Sequence, residues 1–342
     1  MSEKTGIIVV NTGSPEAPTE QAVRDFLARF LMDPRLVSVP RPIWRYILHA
    51  RILPKRAAAS AEKYRLIWMN EEGTPEGSPL TWSHAHIAAG LGRLLEPAGI
   101  PVLGAMCYTE PTVERCLQDL RSQGCTRVVY MPLYPQSAYT QVGSCTDVLN
   151  AALKRIGWDS PVELIHDYWD DETYLQAVIE SILNAGFDPQ RDYLDLSYHA
   201  IPLRDVKNGD TYVDCVRKTN DVIAKRLGAQ EGRWTTGFQS VFGRKPQDWT
   251  GPLSTQLLSD WGRAGVRSVY FCCPGFASDC LETLYDIPRE MEPAYREAYR
   301  AAHPDEPDPS FTYVPCIDPQ KVYPRILHHV LRDRSSFLRG LL

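Results

Sequence analysis

Eight short apolar runs alternate with longer amphipathic stretches, and this alternation most constrains how the chain can fold. The runs are rich in β-branched and aromatic residues, as strands buried in a sheet usually are. Because parallel strands need long crossovers, which are usually helical, the pattern predicts βαβ units and an α/β fold. The predicted strands are 6–11, 101–107, 126–133, 161–166, 192–198, 234–239, 266–273 and 311–315. The predicted helices are 19–31, 57–69, 80–96, 111–122, 143–156, 171–185, 210–228, 253–264, 279–300 and 319–340.

The predicted strands fall into two sets of four, which indicates two doubly wound domains. One local echo supports a duplication, because "GCTRVVYMPLYP" from Gly124 is similar to "AGVRSVYFCCPG" from Ala264. Both stretches read as a helix end, Gly, Arg-x-Val-Tyr, an apolar strand and Pro. In open α/β sheets, ligands bind beyond the carboxyl ends of the strands. The residues that directly follow each strand are therefore the first candidates for function.

The composition excludes several classes of protein. The 342 residues carry a net charge of −5, so no basic excess indicates a nucleic-acid partner. The start "MSEKTGIIVV" lacks the features of a signal peptide, and no apolar run is long enough to predict a transmembrane helix. The nine cysteines suggest neither a disulfide framework nor a C-x-x-C metal site. Reduced thiols in the cytoplasm are the expected state.

His199 follows the fifth predicted strand, in "SYHAIPLRDVKNGD". A single histidine is most often a satisfied structural residue, but this one lies where residues of a ligand cleft are expected. Neutral imidazole is both a metal ligand and a base near neutral pH.

The first strand ends in "NTGSPEAPT", in which Thr19 is a plausible N-cap. No phosphate-loop motif is present there, so nucleotide binding is not expected.

Four acids follow the seventh predicted strand in file: Asp279, Glu282, Asp286 and Glu290. A helix dipole favours acids in the first turn, which explains Asp279 and in part Glu282. A solvated helix face would explain the others. A straight α-helix would spread the last three acids over about 80°, whereas a π-type turn would align them. The residues alone suggest that Glu282 and His199 handle protons or bind a metal.

Two aromatic regions allow both a structural and a functional interpretation. Residues 41–68 form either two amphipathic helices packed on the core or an apolar lip that grips a ligand or touches a membrane surface. Trp249, in the loop after the sixth strand, either packs within that loop or lies against a planar ligand.

In order along the chain, "NTGSPEAPT", "SAEKYRLIW", "GSPL", "PLYPQ", "SYHAIP", "FQSVFGR" and "PGFASDCLETLYDI" resemble the motifs of ferrochelatases, which insert ferrous iron into protoporphyrin. The resemblance covers nearly the whole chain. It implies two Rossmann-like domains, each with a four-stranded parallel sheet flanked by helices, and a porphyrin in the cleft. The N-terminal domain would comprise 1–166 plus a C-terminal helix at 319–342, and the C-terminal domain 167–318.

The resemblance also implies roles for individual residues. His199 and Glu282 would be the catalytic pair, binding the metal and taking up the pyrrole protons, with Asp286 and Glu290 behind them as a relay for protons or metal. Asp279 would be structural. The porphyrin would be held by Asn11, Thr12, Ser14, Arg56, Tyr64, Ser78 and Trp249. Arginine suits the propionates because its guanidinium binds carboxylates bidentately.

The sequence departs from relatives that carry a [2Fe–2S] cluster. Tyr139 stands where their cluster cysteine would be, and Cys316 is the only cysteine near the C-terminus, so no cluster is expected. Fe²⁺ and protoporphyrin IX are the expected substrates. A coproporphyrin ferrochelatase, a cobalt–sirohydrochlorin chelatase and a carrier without turnover are the alternatives. The expected location is the cytoplasm, with peripheral contact between residues 41–68 and the inner membrane left open.

Overall fold

A computed structural model describes residues 3–69, 77–241 and 245–342 of the chain. The chain divides into two compact units. Unit 1 runs to Tyr134 and adds Tyr139–Asp167 and Asp318–Leu342. Unit 2 contains Pro135–Ala138 and Tyr168–Ile317. Each unit thus takes a short piece of chain from the other's part of the sequence.

Each unit contains a four-stranded, all-parallel sheet, and the predicted α/β fold is confirmed. The sheet orders are β2-β1-β3-β4 in unit 1 and β6-β5-β7-β8 in unit 2. All eight predicted strands are present, with small shifts at their ends. The strands are β1 Thr5–Asn11, β2 Val102–Met106, β3 Arg127–Pro132, β4 Val162–Leu164, β5 Tyr193–His199, β6 Trp234–Gln239, β7 Ser268–Cys272 and β8 Ser310–Val314.

The helices follow the predicted alternation. They are α1 Glu20–Phe30, α2 Arg41–Ile47, α3 Leu53–Ile67, α4 Pro79–Leu95, α5 Val113–Ser122, α6 Ser144–Ile156, α7 Glu172–Asn184, α8 Leu203–Lys207, α9 Tyr212–Leu227, α10 Ser254–Arg263, α11 Leu281–Leu284, α12 Glu292–Ala302 and α13 Tyr323–Arg334. Residues 41–67 are helical throughout, with a π-helical segment between α2 and α3. The short helix α8 was not predicted. The predicted helix 279–300 is divided by a second π-helical segment, Ile287–Met291.

The two central strands of each sheet are buried on both faces over most of their length. Every residue of β1 is buried, which is typical of a central parallel strand covered on both sides. Ile8 and Val10 pack with Leu117 and Leu120 of α5 and with Leu149 of α6 in one apolar cluster. Burial of such side chains is the main favourable term that holds the unit together.

The sequence echo corresponds to equivalent places in the two sheets. The strands that it contains, β3 and β7, both lie third in their sheets. Each follows a helix that ends at a glycine, Gly124 with φ 80° and Gly265 with φ 78°. Only glycine adopts this left-handed conformation without strain, and it commonly ends helices. The shared topology therefore agrees with the duplication that the echo suggested.

The C-terminal helix is shorter than predicted, since α13 spans only Tyr323–Arg334 rather than 319–340. Glu163 of β4 accepts hydrogen bonds from Ser335, Ser336 and the backbone N–H of Phe337. Burial raises the pKa of Glu163, but these hydrogen bonds outweigh it and hold the pKa below its usual value. The chain beyond Arg334 is thus fixed to a strand end by a carboxylate, which sequence periodicity does not reveal.

Candidate active site

His199 is the last residue of β5, at the carboxyl end of the sheet in unit 2, and it is half-buried. Its Nδ1 lies 2.7 Å from the carbonyl oxygen of Ala200. Because a carbonyl only accepts, Nδ1 carries the proton, and Nε2 keeps its lone pair when the ring is neutral. The hydroxyl of Tyr212 donates to the carbonyl of His199 at 3.1 Å and fixes the strand end. His199 is therefore prepared to act through Nε2 as a base or a ligand.

Gln239 connects His199 with Glu282. It is the last residue of β6 and lies opposite His199 in the parallel ladder. Its side-chain amide donates to the carbonyl oxygen of Glu282 at 3.2 Å. Glu282 is half-buried in the first turn of α11. A single buried amide thus ties the ends of two strands to the segment that carries the acid.

Asp279, the first of the four acids, accepts two side-chain hydrogen bonds. Its Oδ1 accepts from the hydroxyl of Tyr313 at 2.6 Å and from the hydroxyl of Thr283 at 2.9 Å. Thr283 in turn accepts from the backbone N–H of Cys280, which caps the start of α11. These contacts attach Asp279 to α11 and β8, and its purely structural role stays a prediction.

Asp286 and Glu290 lie at the π-helical segment. Asp286 directly precedes Ile287–Met291 and is half-buried, whereas Glu290 lies within the segment and is exposed. A π-type turn in this region was expected, and it is present. It follows α11 and includes neither Glu282 nor Asp286. That these acids form a relay stays a prediction.

Trp249 is attached to the loop that follows His199. It is half-buried, and its backbone forms an isolated antiparallel bridge with Pro202. The neighbouring Thr250 donates its N–H to the carbonyl of Ile201 at 2.9 Å and accepts from Ile201 N–H through its hydroxyl at 3.1 Å. The structure therefore brings Trp249 close in the fold to the strand end that carries His199.

Unit 1 has a polar cluster at the carboxyl ends of β1 and β3. Asn11 ends β1, and its Oδ1 accepts from the N–H of Thr12 at 2.7 Å and from the hydroxyl of Tyr134 at 3.3 Å. The hydroxyls of Thr12 and Tyr134 are also hydrogen-bonded to each other. Burial raises the pKa of Tyr134 well above its usual value. The cluster is neutral and can orient a ligand, but it offers no base.

The remaining predicted porphyrin residues of unit 1 lie in the loop after β1, on α3 and at the start of α4. Ser14 is buried, and its hydroxyl has no hydrogen-bond partner among the residues that the structure describes. Ser78 is buried at the N-cap of α4. Tyr64 is buried on α3, whereas Arg56 on the same helix is exposed. That these four residues together bind a porphyrin stays a prediction.

Sequence reasoning did not single out Gln239, although it lies in the quoted motif "FQSVFGR", of which residues 242–244 fall outside the described residues. It also overlooked Asp195 and Ser197, which alternate with apolar residues on β5 and lead to His199. A polar residue at every second position of a buried strand was the signal available. Such alternation places all three side chains on one face.

The structure also locates Tyr139 and Cys316, the two residues considered above as positions for iron–sulfur cluster ligands. Tyr139 begins a π-helical segment, Tyr139–Gly143, and is 41% exposed. The Cys316 sulfur lies 3.6 Å from the hydroxyl of Tyr313. The described residues contain no group of three or more His, Cys, Asp or Glu side chains arranged to hold a metal ion. Over the same residues, no helix has the length and apolar character needed to cross a membrane.

Comparison with known proteins gives a family match over nearly the whole chain. A family model described as Ferrochelatase matches residues 4–335. The ferrochelatase of Nitrosococcus oceani is 37% identical over 327 residues, which cover 95% of this chain and 85% of that protein. The ferrochelatase of Aeromonas hydrophila is 35% identical over 330 residues, covering 96% of this chain and 97% of that protein.

Two solved structures share the fold at low sequence identity. SirB from Bacillus subtilis with Fe³⁺ has a TM-score of 0.53 at 15% identity, covering 74% of this chain and 92% of SirB. CbiX, the terminal enzyme of sirohaem biosynthesis in denitrifying bacteria, has a TM-score of 0.51 at 12% identity, covering 98% of this chain and all of CbiX. These two similarities support the fold and nothing more specific.

Proposed function

The chain belongs to the ferrochelatase family, and we infer that it inserts Fe²⁺ into protoporphyrin IX to form protohaem, the final step of haem biosynthesis. It is accordingly an enzyme, a lyase that acts as a porphyrin metal chelatase. The observation that carries the chemistry is the end of β5. There the contact between Nδ1 of His199 and the Ala200 carbonyl leaves the lone pair of the neutral ring on Nε2. Gln239 connects this strand end with Glu282.

The residues match what metal insertion requires. The reaction consumes one Fe²⁺ and a porphyrin with two N–H groups, and it yields the ferrous porphyrin and two protons. We assign His199 and Glu282 as the groups that take up these protons and bind the ion transiently. Neutral imidazole and carboxylate serve both purposes, since each is a base and each is a ligand for a divalent first-row metal.

We assign the porphyrin contacts to seven residues. In unit 1 we assign Asn11, Thr12, Ser14, Arg56, Tyr64 and Ser78, and in unit 2 Trp249. The buried hydroxyl of Ser14 and the polar cluster around Asn11 can orient a ligand edge. The guanidinium of Arg56 suits a propionate, and the half-buried Trp249 suits a flat ring.

Asp286 and Glu290 are proposed as a relay for protons or metal. The half-buried position of Asp286 and the exposed position of Glu290 would suit successive steps toward solvent. If so, Asp286→Asn and Glu290→Gln should each lower kcat severalfold and leave the porphyrin KM unchanged. Wild-type kcat in both variants would refute the relay.

We further propose that the enzyme works without a [2Fe–2S] cluster. Tyr139 is not a cluster ligand, and the thiol of Cys316 is next to the hydroxyl of Tyr313. Such clusters need four ligands, which are usually cysteine thiolates. Elemental analysis of purified protein for iron and acid-labile sulfide tests this proposal.

The cytoplasm is the proposed location, with peripheral contact to the inner membrane through residues 41–68. Ile43, Tyr46 and Leu66 expose 56%, 72% and 63% of their surface there. Exposed aliphatic and aromatic side chains on helices are suited to the membrane interface. Sedimentation with anionic vesicles, for wild type and for Ile43→Ser/Leu66→Ser, tests this contact.

The function is tested by anaerobic incubation with Fe²⁺ or Co²⁺ and protoporphyrin, coproporphyrin or sirohydrochlorin, followed by absorbance spectroscopy. Metallation of protoporphyrin by Fe²⁺ is the expected result. A clear preference for coproporphyrin, or for cobalt and sirohydrochlorin, would replace the proposal with that alternative. Porphyrin binding without any metallation would instead indicate a carrier.

The assignment of the catalytic pair is tested in the same assay. His199→Ala and Glu282→Ala should lose metallation, whereas the exposed His166→Ala and Glu297→Gln serve as matched controls. Wild-type rates in either of the first two variants would overturn the assignment.

A further inference from the structure

Two cysteines of unit 1 lie in contact, and the proposed chemistry uses neither of them. Cys107 directly follows β2, and Cys145 is the second residue of α6. They are 38 positions apart in the sequence, and their sulfur atoms lie 3.4 Å apart. A disulfide bond is about 2.05 Å long, so the sulfurs would have to approach each other by only about 1.4 Å. The fold therefore brings two distant thiols almost to bonding distance.

The two thiols differ in how accessible they are. Cys107 is half-buried, whereas Cys145 is 2% exposed. The contact with Cys107 and burial raise the pKa of Cys145 well above its usual value, so Cys145 keeps its proton. Because oxidants react with accessible thiolates, Cys145 is protected from direct attack. A small oxidant should therefore react first with Cys107, and Cys145 is then the neighbouring thiol that can complete a disulfide.

The surroundings of the two cysteines indicate which one would move. Cys145 belongs to the buried apolar cluster that packs α6 on the sheet, whereas Cys107 lies at the border of this cluster. The hydroxyl of Tyr130 on β3 donates to the carbonyl of Cys145 at 3.0 Å. Formation of a disulfide should therefore move Cys107 and its loop toward α6 more than it moves α6.

The loop that carries Cys107 is bonded to the polar cluster of Asn11, Thr12 and Tyr134. The N–H of Cys107 donates to the carbonyl of Asn11 at 2.9 Å. The N–H of Tyr108 donates to the carbonyl of Thr12 at 3.2 Å. A shift of Cys107 would therefore reach the backbone of the two cluster residues that we assign to porphyrin binding.

We propose that Cys107 and Cys145 are an oxidation site, at which a peroxide oxidises Cys107 and Cys145 then closes a disulfide that weakens porphyrin binding. The effect on porphyrin rests on the proposed function of Asn11 and Thr12, whereas the formation of the disulfide does not. Disulfides of cytoplasmic proteins are usually transient and often sense the redox state. The dithiol is accordingly the ordinary state, and the disulfide forms when peroxide is present.

The oxidation takes two balanced steps. The thiolate of Cys107 attacks one oxygen of hydrogen peroxide, the O–O bond breaks, and the hydroxide that leaves takes up the former thiol proton to form water. The sulfur of Cys145 then attacks the sulfenic sulfur of Cys107, the S–O bond breaks, and the hydroxyl leaves with the proton of Cys145 as a second water. Two thiols and one peroxide thus give one disulfide and two water molecules. Two equivalents of a small thiol reverse the change by exchange and are themselves oxidised to a disulfide.

Peptide mapping of the native protein tests the disulfide directly. Trypsin releases residues 94–115 and 128–154 as separate peptides, and each contains a single cysteine, Cys107 or Cys145. After exposure to hydrogen peroxide and alkylation of the remaining thiols, the two peptides should be recovered linked, and dithiothreitol should separate them. Recovery of the two peptides unlinked from peroxide-treated protein would overturn the proposal.

Two variants test the order of the steps. In Cys145→Ala the sulfenic acid of Cys107 has no neighbouring thiol and should persist, so dimedone should label peptide 94–115 much more strongly than in wild type. In Cys107→Ser, peptide 128–154 should stay unlabelled, because Cys145 is buried. Cys215→Ser removes another half-buried cysteine and is the matched control, which should form the disulfide as wild type does. Labelling of peptide 128–154 in Cys107→Ser would show that Cys145 reacts first and would overturn the assigned order.

Fluorescence titration with protoporphyrin IX, after removal of the peroxide, tests the effect on binding. Oxidation should raise the Kd of wild type about threefold to tenfold, as expected for the loss of about one hydrogen bond, and dithiothreitol should restore it. The Kd values of Cys107→Ser and Cys145→Ala should not respond to peroxide, whereas that of Cys215→Ser should respond as in wild type. An unchanged Kd in wild type that carries the linked peptides would overturn the effect on binding.

These measurements distinguish a failure of this proposal from a failure of the proposed function. If untreated wild type neither binds nor metallates protoporphyrin, the proposed function fails and the effect on binding fails with it, while the peptide map still decides whether the disulfide forms. If untreated wild type metallates protoporphyrin but peroxide never links the two peptides, the proposed function stands and the oxidation site is refuted.

Discussion

Units 1 and 2 contain the same sheet but present different chemistry at its carboxyl edge. In unit 1, Asn11, Thr12 and Tyr134 form a neutral hydrogen-bonded cluster at the strand ends. In unit 2, the same kind of edge carries His199, and Gln239 connects it with Glu282. The fold thus provides equivalent places, and the side chains decide that one edge can orient a ligand while the other can also move protons.

The two units also differ in their buried ionisable groups. His84 in unit 1 is 2% exposed, neither ring nitrogen has a partner among the described residues, and burial lowers its pKa to about 4. Asp195 in unit 2 is fully buried, and burial raises its pKa to about 7. Both groups are therefore neutral in the native protein at about pH 6. His84 becomes charged only as the pH falls, and Asp195 only as the pH rises.

The largest difference is expected when the strand-end residues are removed. His199→Ala or Glu282→Ala should lower kcat by a factor of about 10² to 10⁴, the usual contribution of a general acid or base. Asn11→Ala removes only orienting hydrogen bonds, so it should raise the porphyrin KM by about threefold to tenfold and change kcat little. Steady-state metallation kinetics measure both. An equal loss of kcat in Asn11→Ala would erase the contrast between the two edges.

The next largest effect is expected on the free energy of unfolding, when Asp195 is replaced. A raised native pKa means that the native state binds the proton more tightly than the unfolded chain, so wild type loses stability as the pH rises from about 4 to about 7. Asp195→Asn does not titrate. Its free energy of unfolding should therefore gain about 4 kcal/mol on wild type across this range and stay level above it.

Urea unfolding of both proteins at a series of pH values measures this difference. Asp192→Asn serves as the control, because the pKa of Asp192 is lowered despite its burial. Its stability relative to wild type should not rise in the same window. A constant difference between wild type and Asp195→Asn would show that Asp195 is ionised throughout.

His84 should give a smaller effect with the opposite sign. Its native pKa of about 4 lies below the usual 6.5, so the unfolded chain binds the proton first as the pH falls. Wild type should lose about 3 kcal/mol between pH 6.5 and pH 4 that His84→Leu does not lose. Urea unfolding at pH values across this window checks the result. The exposed His166→Leu should behave as wild type, and a parallel loss in His84→Leu would contradict the assignment.

The sequence predicted the strands well because strand burial leaves a direct trace in hydrophobicity. All eight were found, since runs such as "GIIVV" and "SVYFCC" are apolar on both faces. Helix ends were less predictable. Glu163 fixes the chain beyond Arg334 from a distant strand, and no periodic signal within 319–340 records that contact.

The candidate site was predictable only in part, for the same physical reason. Local position indicated His199, because it follows a strand, and the resemblance indicated Glu282. Gln239 and Ser197 form hydrogen bonds to residues that are far apart from them in sequence, such as Glu282 and Ser254. Such contacts exist only after the sheet has formed. The alternation of polar residues on β5 was the one local sign of them.

The smallest expected effects come from two tyrosines that end hydrogen-bond chains in the two units. Tyr134 donates to Asn11 in unit 1, whereas Tyr313 donates to Asp279 in unit 2. If the first cluster orients porphyrin and the second only holds α11, Tyr134→Phe should raise the porphyrin KM about twofold to fivefold. Tyr313→Phe should instead lower the free energy of unfolding by about 1 to 2 kcal/mol and leave KM unchanged.

Metallation kinetics and urea unfolding of both variants separate these outcomes. The two substitutions remove the same hydroxyl, so each variant is the other's control for the loss of a phenol oxygen. A raised KM in Tyr313→Phe would mean that Asp279 contributes to the site after all, because loss of its hydrogen bond would then reach the porphyrin. An unchanged KM in Tyr134→Phe would instead restrict the role of the unit 1 cluster to folding, and the chemical contrast between the two sheet edges would rest on unit 2 alone.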